Sequence, residues 1–374
     1  MKRIILVSII VGIICCKSVY ANEFESNTYI TLDDFDLKET QNVMQSEKYS
    51  IDIDELLQEI SKGNVMAAVN IIIDNVRDKL ENQFNDIKQV IITIIFTTVF
   101  AALIVNFSYS SSKNGVNEMA FYACYVLQIS TLMYIFQIAM EIGEKLVLFI
   151  LQLMGAIIPT YLLAVGITSQ ATALGFNSLI MTLIAVIEAV ILNIVFPMLK
   201  VDMAMSMVNS ISKEDLLSGM ADLIKKAINF IYKFILGTVT GLNLIQSLIL
   251  PTTDLAKNNI AKKIISNVPI VGNGTDAVAQ IILSSVGIIK NSIGALAIIL
   301  IVFVCIVPMV KMTAYSAVVQ ISGAVLQPIA DKRILNCIKQ TGEGIKLLNR
   351  GISVVGFLFI ITIAIICIST GNGG

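Results

Sequence analysis

The chain contains no histidine, and only 14% of its 374 residues carry charge. The first absence removes the commonest metal ligand and the usual general base near neutral pH. The second, with 56% hydrophobic residues and a mean hydropathy of +0.82, excludes an ordinary soluble domain, since water would face too much apolar surface. Cysteine is sparse and badly placed for chemistry. Cys15 and Cys16 sit in an amino-terminal leader, Cys124, Cys305 and Cys367 in apolar runs, and Cys337 in a predicted cytoplasmic loop. That pattern holds no CxxC pair, so neither a disulfide framework nor a zinc or thiol-redox site is expected. There is no Walker lysine loop, GxSxG elbow or HExxH helix either. No catalytic residue, cofactor, metal or nucleic-acid partner is expected.

What is present begins with an export leader. Lys2 and Arg3 form a basic start, Ile4 to Cys16 an apolar stretch, and Val19-Tyr20-Ala21 a cleavage-like end. Residues 1–21 therefore read as a signal peptide, with an uncleaved anchor or a lipoprotein cysteine as alternatives. Residues 22–86 carry fifteen Asp/Glu against five Lys/Arg, a net of −10. Residues 22–50 lack periodicity and read as a flexible arm. From Ile51 the pattern turns helical. Asp52-x-x-Glu55 resembles a capping box, and Ile53, Leu56, Leu57 and Ile60 share one face until Gly63. Val69, Ile72, Val76, Leu80 and Phe84 then recur at helical spacing and run into the first long apolar run. Such a stripe either packs on the chain's own bundle or membrane surface, or docks an extracytoplasmic partner.

Apolar runs of bilayer length fall near 89–107, 119–140, 146–167, 179–199, 227–250, 288–310, 312–330 and 352–370. The expected fold is all-α, a polytopic membrane domain over 87–370 with about seven or eight transmembrane helices and a short 371–374 tail. An exported amino terminus puts 251–280 and 331–350 in the cytoplasm. These stretches hold Lys257, Lys262 and Lys263, and Lys332, Arg333, Lys339, Lys346 and Arg350, as the positive-inside rule requires. The 312–330 run is the weakest span, because Ser316, Gln320, Ser322, Gly323 and Gln327 dilute it.

Ionisable groups inside apolar runs are the candidates for function. Glu188 falls near the middle of its run, where a lone carboxylate costs on the order of 2.5 kcal/mol or more, so it pairs, meets water or protein, or is protonated. Lys233 and Lys290 are candidate partners, and the three make a candidate polar pathway. The alternative for Glu188 is simple helix packing. Pro197-Met-Leu-Lys200 recurs as Pro308-Met-Val-Lys311, 111 residues later, which is either a duplication or chance in an apolar chain.

Three stretches together carry a resemblance. Asn267-Val-Pro-Ile-Val-Gly-Asn-Gly-Thr-Asp-Ala-Val278 contributes Pro269, Gly272, Gly274 and Asp276. Ile306-Val-Pro-Met-Val-Lys311 contributes Pro308. Gly323-Ala-Val-Leu-Gln-Pro-Ile-Ala-Asp-Lys-Arg-Ile334 contributes Gln327, Pro328 and Asp331. With the leader and acidic exported helix, the chain resembles the stage III sporulation protein AE family over nearly its whole length. The resemblance implies a non-enzymatic polytopic subunit of a secretion-like channel complex in the mother-cell membrane around the forespore, required for late forespore gene expression. It implies as partners membrane lipid, other stage III proteins and a forespore membrane protein, and it leaves room for a homo-oligomer. An autonomous secondary transporter and a structural anchor that recruits other subunits are the alternatives.

Overall fold

A computed structural model describes residues 37–371, apart from 48, 50, 110–113, 169–170, 212–216 and 266–272. The leader at 1–21 lies outside the described residues. Those described are helical throughout, with no strand among them.

Helix α1 (Lys38–Ser46) lies where a flexible arm was expected. It is held by tertiary contact. Met44 is fully buried, and the Gln41 side chain donates to the Ile51 carbonyl and accepts from the Ile53 N–H, both at 2.9 Å. A nine-residue helix with so few apolar residues has too short a pattern to announce itself. Helix α2 (Ile53–Ser61) starts as predicted. The Asp52 carboxylate accepts from the N–H groups of Asp54 and Glu55 at 3.0 and 3.2 Å. Ile53, Leu56, Leu57 and Ile60 are all buried. The helix ends at Gly63, whose φ of +77° suits a residue without a Cβ. There the N–H of Gly63 bonds to Ile60 O and that of Asn64 to Glu59 O, a Schellman stop.

The remaining helices are long. They are α3 (Val65–Tyr109), α4 (Asn114–Thr168), α5 (Ala171–Val190), a π turn (Ile191–Val195), α6 (Phe196–Ile211), α7 (Ser218–Ile265), α8 (Asn273–Leu326) and α9 (Lys332–Gly371). Runs read as separate spans are joined end to end: 119–140 and 146–167 both lie on α4, and 288–310 and most of 312–330 on α8. Among the described residues four helices are long and apolar enough to cross a membrane, and Lys88–Ile104 is a shorter apolar piece. The basic 331–350 stretch is not a loop but the first half of α9, so Cys337 is buried in a helix and contacts the Tyr125 hydroxyl at 3.0 Å. Residues 251–265 likewise continue α7. The basic residues of 251–265 and 332–350 therefore lie on helices rather than in loops.

Helices α8 and α9 form the centre. Their most apolar stretches are 67% and 72% buried, against 50% for α4 and 39% for α5–α6. The chain makes two comparable hairpins, α5–α6 with α7 and α8 with α9. Asn336 donates to Ser210 at 3.0 Å and Lys225 to Gln340, so both hairpins turn at the same end. Each first arm carries its copy of Pro-Met-x-Lys. Helices α1 and α2 lie against the bundle. Tyr49 stacks on Phe149 of α4 with ring centroids 5.6 Å apart and meets Phe303 of α8 edge-on at 5.0 Å. Burial, with Cys305 and Glu47 near, pushes its phenol pKa well up, so Tyr49 stays neutral.

Candidate functional site

The π turn is a local consequence of Pro197. Proline has no N–H to give the carbonyl four residues back, and its ring crowds that carbonyl. The preceding residue compensates: Phe196 N–H reaches back five residues to Ile191 O. Asn193, inside the turn, donates its side-chain amide to Ala189 O at 2.9 Å. Such single π turns inside α-helices often sit at functional positions. Three residues before this one is Glu188, only 1% exposed, with neither carboxylate oxygen hydrogen-bonded among the described residues. An ionised carboxylate in that setting costs several kcal/mol, so the group is carried protonated or meets water or a ligand.

The two lysines proposed to complete a pathway are elsewhere. Lys233 is exposed on α7, and no ion pair among the described residues joins it to Glu188. Lys290 is buried on α8 beside Cys367. Helix register explains why Glu188 and Lys290 do not meet. Phe196 packs at Gly143 of α4, whereas Gly294 packs at Tyr161. Both α5–α6 and α8 run antiparallel to α4, so Glu188 comes level with about residue 151 and Lys290 with about residue 165, on the order of 20 Å apart along the axis.

Polar side chains gather instead at one level halfway along the long helices. Lys200 of α6 pairs with Glu144 of α4 at 2.9 Å. Lys311 of α8 lies 5.8 Å from the Tyr315 ring centroid, a cation–π contact. Asn349 of α9 donates to Thr313 at 2.9 Å, and Arg350 to Asn229 of α7. Asp202, 3% exposed with Oδ1 lacking a hydrogen bond among the described residues, belongs to the same region. An apolar run that ends at residue 199 leaves it out. Its signal was a carboxylate two residues beyond Lys200 in a stretch that stays apolar.

Of the amino-terminal stripe, Ile72 is buried and Val76 and Val69 are half-buried, with Ile72 and Val76 packed on the chain's own core. The side chains of Leu80 and Phe84 lie outside the described residues. Of the motif residues, Pro269 and Gly272 also lie outside them, and Gly274 and Asp276 fall in the first turn of α8. Pro308 lies inside α8. Gln327 and Pro328 form the exposed turn after it, and the Asp331 carboxylate accepts from the Arg333 N–H at 2.8 Å to start α9. That motif stops one helix and caps the next, which is an architectural role.

A sequence model of the stage III sporulation protein AE family matches residues 51–370, which includes every helix from α2 onward. The chain belongs to the stage III sporulation protein AE family. A relative described as stage III sporulation protein AE, from Bacillus subtilis (strain 168), is 22% identical over 282 residues, covering 75% of this chain and 70% of the relative. No solved structure matches the chain. In this member of the AE family, the residues that carry the resemblance at 323–334 build a helix junction, and the buried carboxylate Glu188 lies outside every motif.

Proposed function

We propose that the chain is a multi-pass membrane subunit, not an enzyme, of a sporulation transport complex joining mother cell and forespore, needed for late gene expression in the forespore. The observation that carries this reading is the family match over residues 51–370. Bundle dimensions support the membrane part. From Leu146 to Thr168 helix α4 is free of charged residues and rises about 35 Å, close to the roughly 30 Å of a bilayer's hydrocarbon core. The proposed location is the mother-cell membrane around the forespore, with the acidic amino-terminal segment outside the cytoplasm and facing other stage III subunits and a forespore membrane protein. Glu188 is the proposed polar element of a conduit.

An in-frame deletion in the source organism tests the reading. Normal vegetative growth with shrunken forespores and a silent late forespore reporter is the expected result. Normal sporulation overturns it. The two comparable hairpins, each with Pro-Met-x-Lys in its first arm, favour a second reading as an autonomous secondary transporter. That protein would move its substrate in vesicles with no partner present, which a complex subunit would not.

A further inference from the structure

The charge-free half of the bundle is not clothed alike on all sides. Its edge is marked by Lys145 of α4 and Lys311 of α8, which line one cavity together with Gln89 of α3. From that edge α4 runs uncharged from Leu146 to Thr168, and α8 from Val310 back to Asn291. Tyr49 seats on both, at Phe149 and Phe303, and Phe303 lies eight residues, about 12 Å, inside the edge. Helix α3 ends at Tyr109 and α4 begins at Asn114, a connection short enough to make the two antiparallel. The first residue of α3, Val65, therefore stands about 36 Å from Gln89, at the far end of the charge-free half. Helix α2 lies between Tyr49 and Val65. Both α2 and the start of α3 thus run alongside the bilayer-length stretch itself.

These helices turn an apolar face inward and a polar one outward. Ile53, Leu56, Leu57 and Ile60 of α2 are buried, as are Met44 of α1 and Ile72 of α3. Glu39 and Asn42 of α1, Asp54, Glu55 and Gln58 of α2, and Arg77 of α3 are all exposed. Elsewhere at the same level the bundle exposes apolar side chains, among them Leu151 and Leu163 of α4 and Val186 of α5. A charged side chain turned to acyl chains is costly, whereas leucine and valine there are favourable. At one depth, then, one flank of the bundle suits lipid and another suits water.

We propose that the flank formed by α1 and α2 is a water-facing wall of the conduit at the depth of the hydrocarbon core, and that it favours hydrated cations over anions. Ionisable side chains persist at that depth where they face a water-filled space. On α1 and α2 the exposed acids, Glu39, Glu47, Asp54 and Glu55 among them, outnumber Lys38 and Lys62. Such a lining draws cations as rings of acidic side chains do in cation channels. The proposal rests on the membrane reading above and adds to it the surface that water meets.

The test is cysteine accessibility on the full chain in membrane vesicles from sporulating cells, read over the wild-type background. Asn42→Cys and Gln58→Cys are expected to react with membrane-impermeant methanethiosulfonates, the cationic reagent severalfold faster than the anionic one. Leu163→Cys and Val186→Cys, at the same depth on the lipid side, stay unreacted. Azidophenylalanine placed at Tyr49 cross-links on illumination to α4 or α8 of the same chain, which reads whether α1 and α2 stay on the bundle. A chain that carbonate washes from the membrane overturns the membrane reading and the wall together. A retained chain whose Asn42→Cys and Gln58→Cys resist both reagents overturns the wall alone. Labelling without the cross-link means that the two helices leave the bundle, which also overturns the wall. Equal rates with the two reagents, or a faster anionic one, overturn the preference for cations.

Discussion

Gly351 offers the sharpest test of how α7 and α9 pack. In an open helix, replacing glycine by alanine stabilises by about 1 kcal/mol, because the backbone loses less freedom on folding. At Gly351 a Cβ would come 2.9 Å from Cζ and 3.2 Å from Cε1 of Tyr232. That ring cannot swing aside. Tyr232 is 2% exposed, and its hydroxyl donates to the Leu347 carbonyl at 3.3 Å, one turn away on α9. Overpacking of this kind costs about 1–3 kcal/mol, so the helix-propensity gain is outweighed. Gly351→Ala is expected to destabilise by about 1–2 kcal/mol. Gly155→Ala, where nothing lies within 4 Å of the new Cβ, is expected to be neutral or to stabilise by up to about 1 kcal/mol. Thermal unfolding of the detergent-purified chain compares the two. In a Tyr232→Phe background, which removes the hydroxyl, the cost of Gly351→Ala should fall by at least about 0.5 kcal/mol. Equal stability of the two alanine variants, or no coupling to Tyr232, refutes the packing of α7 on α9 at this crossing.

Asp52→Ala removes both cap bonds of α2 and should cost about 1 kcal/mol, seen as faster amide exchange over residues 53–61 with the long helices unaffected. Tyr49→Ala deletes the ring wedged between Phe149 and Phe303, so α1 and α2 should become protease-sensitive, with a loss of about 3 kcal/mol or more. Unchanged proteolysis would mean that other contacts seat these helices. Glu188→Leu replaces a buried carboxylate that has no hydrogen bond among the described residues, and should raise thermal stability by about 1–3 kcal/mol while impairing forespore development. Normal sporulation in that variant removes Glu188 from the mechanism.

The amino-terminal caps were legible because they are local. Asp52, the apolar face from Ile53 to Ile60 and the stop at Gly63 are written within a dozen residues, and each is found where its chemistry requires. Helix α1 was not legible, because its order comes from Gln41 reaching Ile51 and Ile53 and from burial of Met44. The levels of the candidate pathway residues were not legible for a related reason. Glu188 and Lys290 were grouped for their charge in apolar runs, but helix register alone sets their levels and separates them.

By itself the sequence determined that the chain is helical and too apolar for water, and its motifs pointed to the family. Composition and period suffice for that, since in lipid the backbone must satisfy its own hydrogen bonds. Only the tertiary structure decided where the helices end. Glu141-Ile-Gly-Glu-Lys145 has the charge and glycine of a turn, yet α4 runs through it, with Lys200 pairing Glu144 and Gly143 letting Phe196 approach closely. Lys311 likewise stays in α8 over Tyr315. Glutamate and lysine are themselves good helix formers, and tertiary partners alongside let the helix continue through such a stretch. Those partners lie as many as 56 residues away in the chain, beyond the reach of any local pattern.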